Sequence, residues 1–208
     1  MKKIKAPYYW NDAKKFLSNK DKKLAKIISQ YNGYLVTRNN PFHSLCRSII
    51  GQQISVKAAD SIWLKFERVV KKIKPINLIK LSKARLASLG LSRQKVEYLK
   101  IIAKEFFDKR LDIKDLQRMS DEEVIKHMIK IKGIGIWTAQ MFLIFNLNRP
   151  NIFPFSDVGL VKAISKNYKK EYPLKKDQLD FFQKKWHPYT TVATWYMWRS
   201  IDPVPVEY

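Results

Sequence analysis

Helical periodicity along nearly the whole chain is the feature that most limits the folds open to it. Apolar residues recur at spacings of three and four in eight segments, namely residues 24–28, 45–50, 56–70, 96–107, 124–131, 138–147, 160–164 and 192–198. Helix-start signals agree, because Ser55 precedes one segment and Ser120 with Glu123 has the form of a capping box. Residues 34–36 form the one weak strand candidate, too short to build a sheet. The sequence therefore predicts an all-α fold.

The charge balance predicts a polyanionic partner. The chain has 41 Lys and Arg residues against 18 Asp and Glu residues, a formal net charge of +23. An A/T-rich genome would favour Lys over Arg, but the same bias does not deplete Glu. We therefore expect a polyanion to bind. Charge alone leaves nucleic acid, an anionic membrane and an acidic protein open.

Composition predicts neither a metal site nor a membrane span. A single cysteine, Cys46, excludes an internal disulfide and an iron–sulfur cluster held by four cysteines. The three histidines are scattered, so we expect no metal and no cofactor. No apolar run approaches the roughly 20 residues of a membrane helix, and the N-terminus lacks the apolar core of a signal peptide. We expect a cytoplasmic protein.

Two glycines flank one apolar residue between two helical segments, at Gly133, Ile134 and Gly135. Glycine permits backbone angles that other residues resist, and it removes side chains that would block a close approach. The helix that follows begins with free backbone N–H groups and a positive dipole end, which together suit a phosphate. Taken alone, however, this pattern is also a common turn between helices.

An aspartate follows the hairpin at an informative distance. Asp157 lies 22 residues after Gly135 and opens the next helical segment. By itself Asp157 would be a helix N-cap. A hairpin, an intervening helix and an Asp at the mouth of the next helix, in that order, resemble the helix-hairpin-helix (HhH-GPD) DNA glycosylases. Three further blocks, residues 48–59, 89–99 and 186–199, are similar to the 3-methyladenine DNA glycosylase II branch of that superfamily.

The resemblance implies an architecture and a partner. We expect one glycosylase domain over residues 1–208, made of two helical lobes with a central cleft. The expected lobes are approximately residues 1–50 with 158–208, and residues 51–157. Only some 22 residues precede the first helix that aligns, so we expect no N-terminal sheet domain. The implied protein is a monomer, associated with the nucleoid, whose partner is double-stranded DNA containing damaged bases.

The resemblance also implies roles for individual residues. Asp157 would be the catalytic carboxylate, acting electrostatically or as a general base. The base pocket would contain Trp137 and Trp198, although each could instead be a core residue. The wedge that enters the duplex would be Leu91 or Arg93. The phosphate-binding hairpin would comprise Lys132, Gly133, Ile134, Gly135 and Thr138, and the other residues of a family motif are Gln52, Gln53 and Ser55.

Two departures from the family pattern refine this expectation. Bifunctional members carry a nucleophilic lysine two residues after the second hairpin glycine, and this chain has Trp137 there. Lys130 and Lys132 precede the hairpin, so we expect base removal without strand cleavage. Some relatives carry an aromatic residue directly after the catalytic Asp, whereas this chain has Val158, which leaves the preferred lesion open.

Two alternatives remain at this point. The first is a glycosylase for oxidised, deaminated or mismatched bases, which Trp137 disfavours. The second is a non-catalytic helix-hairpin-helix protein that only binds DNA. Asp157 argues against the second, since a pure DNA binder has no need of a carboxylate facing a polyanion.

Overall fold

The computed structural model describes residues 6–38 and 40–202, and these residues form thirteen helices and no strand. All eight predicted segments coincide with helices, apart from the last residues of two of them. The helices are α1 (Trp10–Lys20), α2 (Lys22–Gln30), α3 (Pro41–Gly51), α4 (Val56–Val70), α5 (Pro75–Lys80), α6 (Lys83–Ala87), α7 (Arg93–Phe107), α8 (Ile113–Arg118), α9 (Asp121–Met128), α10 (Ile136–Phe145), α11 (Val158–Tyr168), α12 (Lys176–Trp186) and α13 (Thr190–Ile201).

Helix starts follow the capping signals of the sequence. Ser55 accepts a hydrogen bond from the backbone of Ala58 at the start of α4. Ser120 and Glu123 form a reciprocal capping box at the start of α9. Each cap satisfies backbone N–H groups that a helix cannot satisfy within itself. The local sequence therefore fixes where these helices begin.

The chain divides into two compact units. Of the described residues, the central unit contains 38 and 40–142, and the terminal unit contains 6–37 together with 143–202. The sequence placed the boundaries near residues 50 and 157, whereas the units change after residues 37 and 142. Helix α3 belongs to the central unit because it packs against α4 and α7. The change at residue 142 falls within α10.

Helix α13 forms the core of the terminal unit. Its first nine residues, 190–198, are all buried, and it packs against α11, α2 and α1. Such a helix, apolar or small on every side, is stable only when other elements surround it. The residues of this helix are therefore held in fixed positions, including Trp198, which lies on α13.

A buried carboxylate joins α2, α11 and α12 within the terminal unit. Asp21 is 2% exposed and caps α2 by accepting from the backbone of Leu24. Its Oδ2 also accepts from Tyr168 Oη at 2.7 Å, Lys185 Nζ at 2.9 Å and Trp186 Nε1 at 3.1 Å. Burial raises the pKa of Asp21, but these hydrogen bonds outweigh burial and hold its pKa below the ordinary value.

No helix among the described residues is both long enough and apolar enough to cross a membrane.

Candidate active site and DNA-binding hairpin

The hairpin between α9 and α10 lies in the central unit and is closed by its own backbone. The N–H of Ile134 donates to the carbonyl of Ile131 at 3.0 Å, and the Ile134 side chain is buried. The N–H of Ala139 donates to the carbonyl of Gly135 at 3.0 Å, which begins the hydrogen-bond ladder of α10. The hairpin therefore ends at the N-terminus of a helix, where a positive dipole end favours an anion.

Gly133 is required by the protein's own structure. Its φ is +96°, a conformation that side chains with a Cβ rarely adopt. A Cβ at this position would lie 2.4 Å from Cγ and 2.7 Å from Cβ of Tyr98 on α7. Both the backbone angle and the packing of Tyr98 therefore exclude any other residue at position 133.

Gly135 is not required in this way. A Cβ added there would meet no atom within 4 Å, the residue is exposed, and its φ lies outside the left-handed range. The space beside Gly135 is open on the solvent side of the hairpin, which is where a ligand's backbone could approach. Lys132 is also exposed, whereas Thr138 is buried inside the unit.

Gln52, the C-cap residue of α3, supports the hairpin. The Nε2 of Gln52 donates to the carbonyl of Gly133 at 2.9 Å, and Gln53 has a positive φ of +56°. A cavity of about 320 Å³ lies here, lined by both glutamines, the hairpin glycines and the first residues of α7, including Lys95. Burial lowers the pKa of Lys95, whose Nζ donates to the carbonyl of Ile50 at 2.8 Å.

The loop before α7 separates the two wedge candidates. Leu91 is 5% exposed and belongs to the packing of the central unit. Arg93 is the first residue of α7 and is exposed. A side chain that enters a duplex must be accessible, so the burial of Leu91 does not fit a wedge. Arg93 is the candidate that we retain.

Asp157 lies at the end of a loop tied to α13 in the terminal unit. Thr191 Oγ1 donates to the carbonyl of Arg149 at 2.7 Å and accepts from the N–H of Ile152 at 2.9 Å. Asp157 then ends the loop as the N-cap of α11, and its Oδ1 accepts from the N–H of Leu160 at 2.6 Å. Asp157 is only 6% exposed, which is unusual for a carboxylate that has no other role than capping.

The structure brings Trp198 to Asp157. The indole N–H of Trp198 donates to Asp157 Oδ1 at 2.8 Å, and the ring is 6% exposed. Trp137, the other predicted pocket residue, is the second residue of α10 and is partly buried in the central unit. Lys130 and Lys132 are both exposed.

Sequence reasoning missed Tyr98 and Gly159. Tyr98 lies on α7, 35 positions before the glycine that it contacts, and no local pattern connects the two. Gly159 stands in the first turn of α11, where a glycine weakens a helix. A glycine at this position of a helix therefore indicates that packing, and not helix stability, selects it.

The chain is similar to known proteins in both sequence and structure. Residues 46–188 match the model of the HhH-GPD superfamily base excision DNA repair proteins. The protein YfjP of Bacillus subtilis (strain 168) is 32% identical over 97% of this chain and 74% of its own length. The crystal structure of a DNA-3-methyladenine glycosidase from Bacillus halodurans is 33% identical, with a TM-score of 0.79 over 91% of this chain and 89% of the other. The Schizosaccharomyces pombe 3-methyladenine DNA glycosylase Mag1, in complex with abasic DNA, has a TM-score of 0.81 and 26% identity over 95% of this chain and 100% of the other.

Proposed function

Because the chain belongs to the HhH-GPD superfamily of base excision DNA repair proteins, we propose that it is a DNA glycosylase for alkylated bases of the 3-methyladenine type. It hydrolyses the bond between base and sugar in duplex DNA and leaves the strand intact. The observation that carries this proposal is Asp157, a carboxylate 6% exposed and held by the N–H groups of Leu160 and Trp198. Relatives that bear 3-methyladenine in their names support the choice of lesion.

Duplex DNA would bind first at the hairpin. The open space beside Gly135, the exposed Lys132 and the N-terminus of α10 together suit a backbone phosphate. The net charge of +23 attracts the duplex without regard to its sequence. Binding of this kind positions the DNA and leaves recognition of the lesion to a separate step.

The damaged base must then leave the stack, because its bond to the sugar is not accessible inside a duplex. Arg93 is our candidate for the side chain that fills the gap, since it is exposed at the start of α7. Alkylation of a ring nitrogen gives the base a positive charge. An electron-rich ring such as Trp137 would attract such a base by a cation–π interaction.

The carboxylate of Asp157 would act on the sugar. As the bond to the base breaks, its electron pair leaves with the base and the sugar becomes a cation of the oxocarbenium type. A fixed carboxylate stabilises that charge until water adds at the same carbon and loses a proton. We favour this electrostatic role over general base catalysis, since a cationic base departs with little help.

The reaction would stop at the abasic site. Strand cleavage by a glycosylase needs an amine that attacks the sugar, and that position holds Trp137. The protein would act as a monomer, a single domain of two lobes, on the DNA of the nucleoid. Neither a cofactor nor a membrane enters this mechanism.

The test is the release of bases from randomly methylated duplex DNA, resolved by chromatography. Asp157→Asn keeps a good N-cap residue and should lower the excision rate by about 10²- to 10³-fold while DNA binding persists. Asp112→Asn is the matched control, because Asp112 also caps a helix, α8, and the same charge is lost. An Asp157→Asn protein that excises at the rate of the control would refute the catalytic assignment. Duplexes that carry oxidised or deaminated bases are tested in parallel, and release from these alone would identify the sister specificity instead.

A further inference from the structure

Trp198 and Asp157 form a pair that is held from several sides. The Oδ1 atom of Asp157 accepts from the indole N–H of Trp198 at 2.8 Å and from the backbone N–H of Leu160 at 2.6 Å. These donors come from different helices, α13 and α11, and converge on one oxygen. A carboxylate held by two such donors cannot rotate without breaking a charge-assisted hydrogen bond.

The indole ring is itself held in place. Trp198 stacks on Phe145 with ring centroids 6.0 Å apart and planes 9° from parallel. Trp198 and Phe145 are 6% and 5% exposed, and Trp198 sits on a helix whose preceding residues are all buried. The direction of the indole N–H is therefore set by packing, so it acts as a preorganised donor.

Gly159 lies directly beside the contact between Asp157 and Trp198. A Cβ at position 159 would lie 3.2 Å from Asp157 Oδ1 and 3.3 Å from Trp198 Cδ1. Because its φ is outside the left-handed range, the backbone does not require glycine here. The absence of a side chain lets the carboxylate and the indole meet over the first turn of α11.

From this arrangement we propose that Trp198 is a positioning residue, whose indole N–H holds Asp157 in the orientation that base excision needs. The proposal rests on the proposed function, and it replaces the expectation that Trp198 is a wall of the base pocket. A ring that is 6% exposed has little surface to offer a base. Its polar atom is already committed to the carboxylate.

A pocket-wall role and a positioning role for Trp198 predict different effects of its substitution on the excision rates of different bases. A pocket wall contacts the base, so its loss should affect a cationic alkylated base and a neutral base to different extents. A residue that orients a carboxylate toward the sugar should affect all bases by the same factor, because the sugar is common to them. This difference separates a positioning role from a pocket role.

The experiment uses Trp198→Phe, which retains an aromatic ring but removes the N–H. We expect the single-turnover excision rate to fall by about tenfold to a hundredfold, equally for a cationic and a neutral base, because small misplacements of a catalytic group have effects of this size. Affinity for duplex DNA should stay near that of the wild type, and the melting temperature should fall by only several degrees, because the remaining ring fills most of the space. Trp195→Phe is the matched control, since Trp195 lies on the same buried helix and packs against Trp10 instead.

Gly159→Ala tests the same pair without changing either partner, because its Cβ would press on both Asp157 Oδ1 and Trp198 Cδ1. It should lower the excision rate and leave DNA affinity unchanged. If Trp198→Phe fails to fold, a lower excision rate in Gly159→Ala supports the proposal only when the indole N–H signal of Trp198 shifts with it. Excision by Trp198→Phe at the rate of Trp195→Phe, or a loss confined to one class of base, would overturn the proposal.

An NMR measurement keeps this inference separate from the proposed function. The indole N–H signal of Trp198, assigned by its absence in Trp198→Phe, should move upfield and exchange faster with water in Asp157→Ala. The Trp195 signal should not change. If the wild type released no base, the proposed function would be wrong. If the Trp198 signal did not change in Asp157→Ala, the two side chains would not be paired, and the positioning role would be wrong whether or not the protein is a glycosylase.

Discussion

The two hairpin glycines offer a matched pair of substitutions with opposite expected effects. In Gly133→Ala, an L-residue would have to adopt a φ of +96°, at a cost of about 1–2 kcal/mol. The new Cβ would also stand 2.4 Å from Cγ of Tyr98, and overpacking of this kind costs about 1–3 kcal/mol. The free energy of unfolding should therefore fall by about 2–5 kcal/mol, which for a chain of this size lowers the melting temperature by about 4–20 °C.

Gly135→Ala should leave stability nearly unchanged, because its Cβ would enter open space. The free energy of unfolding should change by no more than about 0.5 kcal/mol. DNA binding should weaken, since the methyl group occupies the space through which a phosphate approaches the backbone N–H groups. Loss of one hydrogen bond to a charged group, about 1.5–3 kcal/mol, corresponds to about a 10- to 150-fold rise in Kd.

Urea unfolding and fluorescence anisotropy on a short undamaged duplex measure the two effects. The double variant Gly133→Ala with Tyr98→Ala tests the packing cost at position 133, because removing the ring relieves the overlap with Cγ of Tyr98 but leaves the contact with its Cβ and the backbone strain. We expect a favourable coupling of about 1–3 kcal/mol between the two substitutions. The reasoning is refuted if Gly135→Ala unfolds as easily as Gly133→Ala, or if Gly135→Ala binds DNA like the wild type.

Three further predictions concern the charge, the reaction product and acid stability. DNA affinity should fall linearly with the logarithm of salt concentration, with a slope of about −0.9 per phosphate neutralised, and an anisotropy titration with a flat salt response would contradict the phosphate-binding role. Borohydride added during the reaction should trap no protein–DNA adduct, because Trp137 replaces the nucleophilic lysine; an adduct that disappears on replacing Lys132 would contradict this. Asp21→Asn should lower the free energy of unfolding at pH 7 by about 1.5–3 kcal/mol, since it weakens the hydrogen bonds from Tyr168, Lys185 and Trp186 to a charged group. The folded-state pKa of Asp21 is lowered, so its stabilising effect is present above the unfolded value near 3.9 and is lost as the pH falls through the folded value. Melting curves of the two proteins should therefore converge below pH 4, and a gap that stays constant with pH would show that the charge of Asp21 is not the cause.

The local sequence was sufficient to predict the helices and several of their boundaries. The segment predicted over residues 56–70 is α4 with the same bounds, and the capping box at Ser120 and Glu123 is present. These features depend on hydrogen bonds and side-chain spacing within a few residues, which a sequence displays directly. The smaller helices α5, α6 and α8 have five or six residues each, too few to establish a period.

The order of motifs determined the family, while the tertiary structure decided what individual residues do. The sequence placed Gly133 and Gly135 in one hairpin. Only the tertiary structure shows that Tyr98 packs against Gly133 and that the space beside Gly135 is open. The sequence offered Leu91 and Arg93 equally, and burial distinguishes them. Asp157 and Trp198 are 41 positions apart, and Asp21 and Trp186 are 165 apart. Contacts between such distant positions arise from how helices pack against one another. The period of a single helix shows which of its faces is apolar, but it does not show which other helix covers that face.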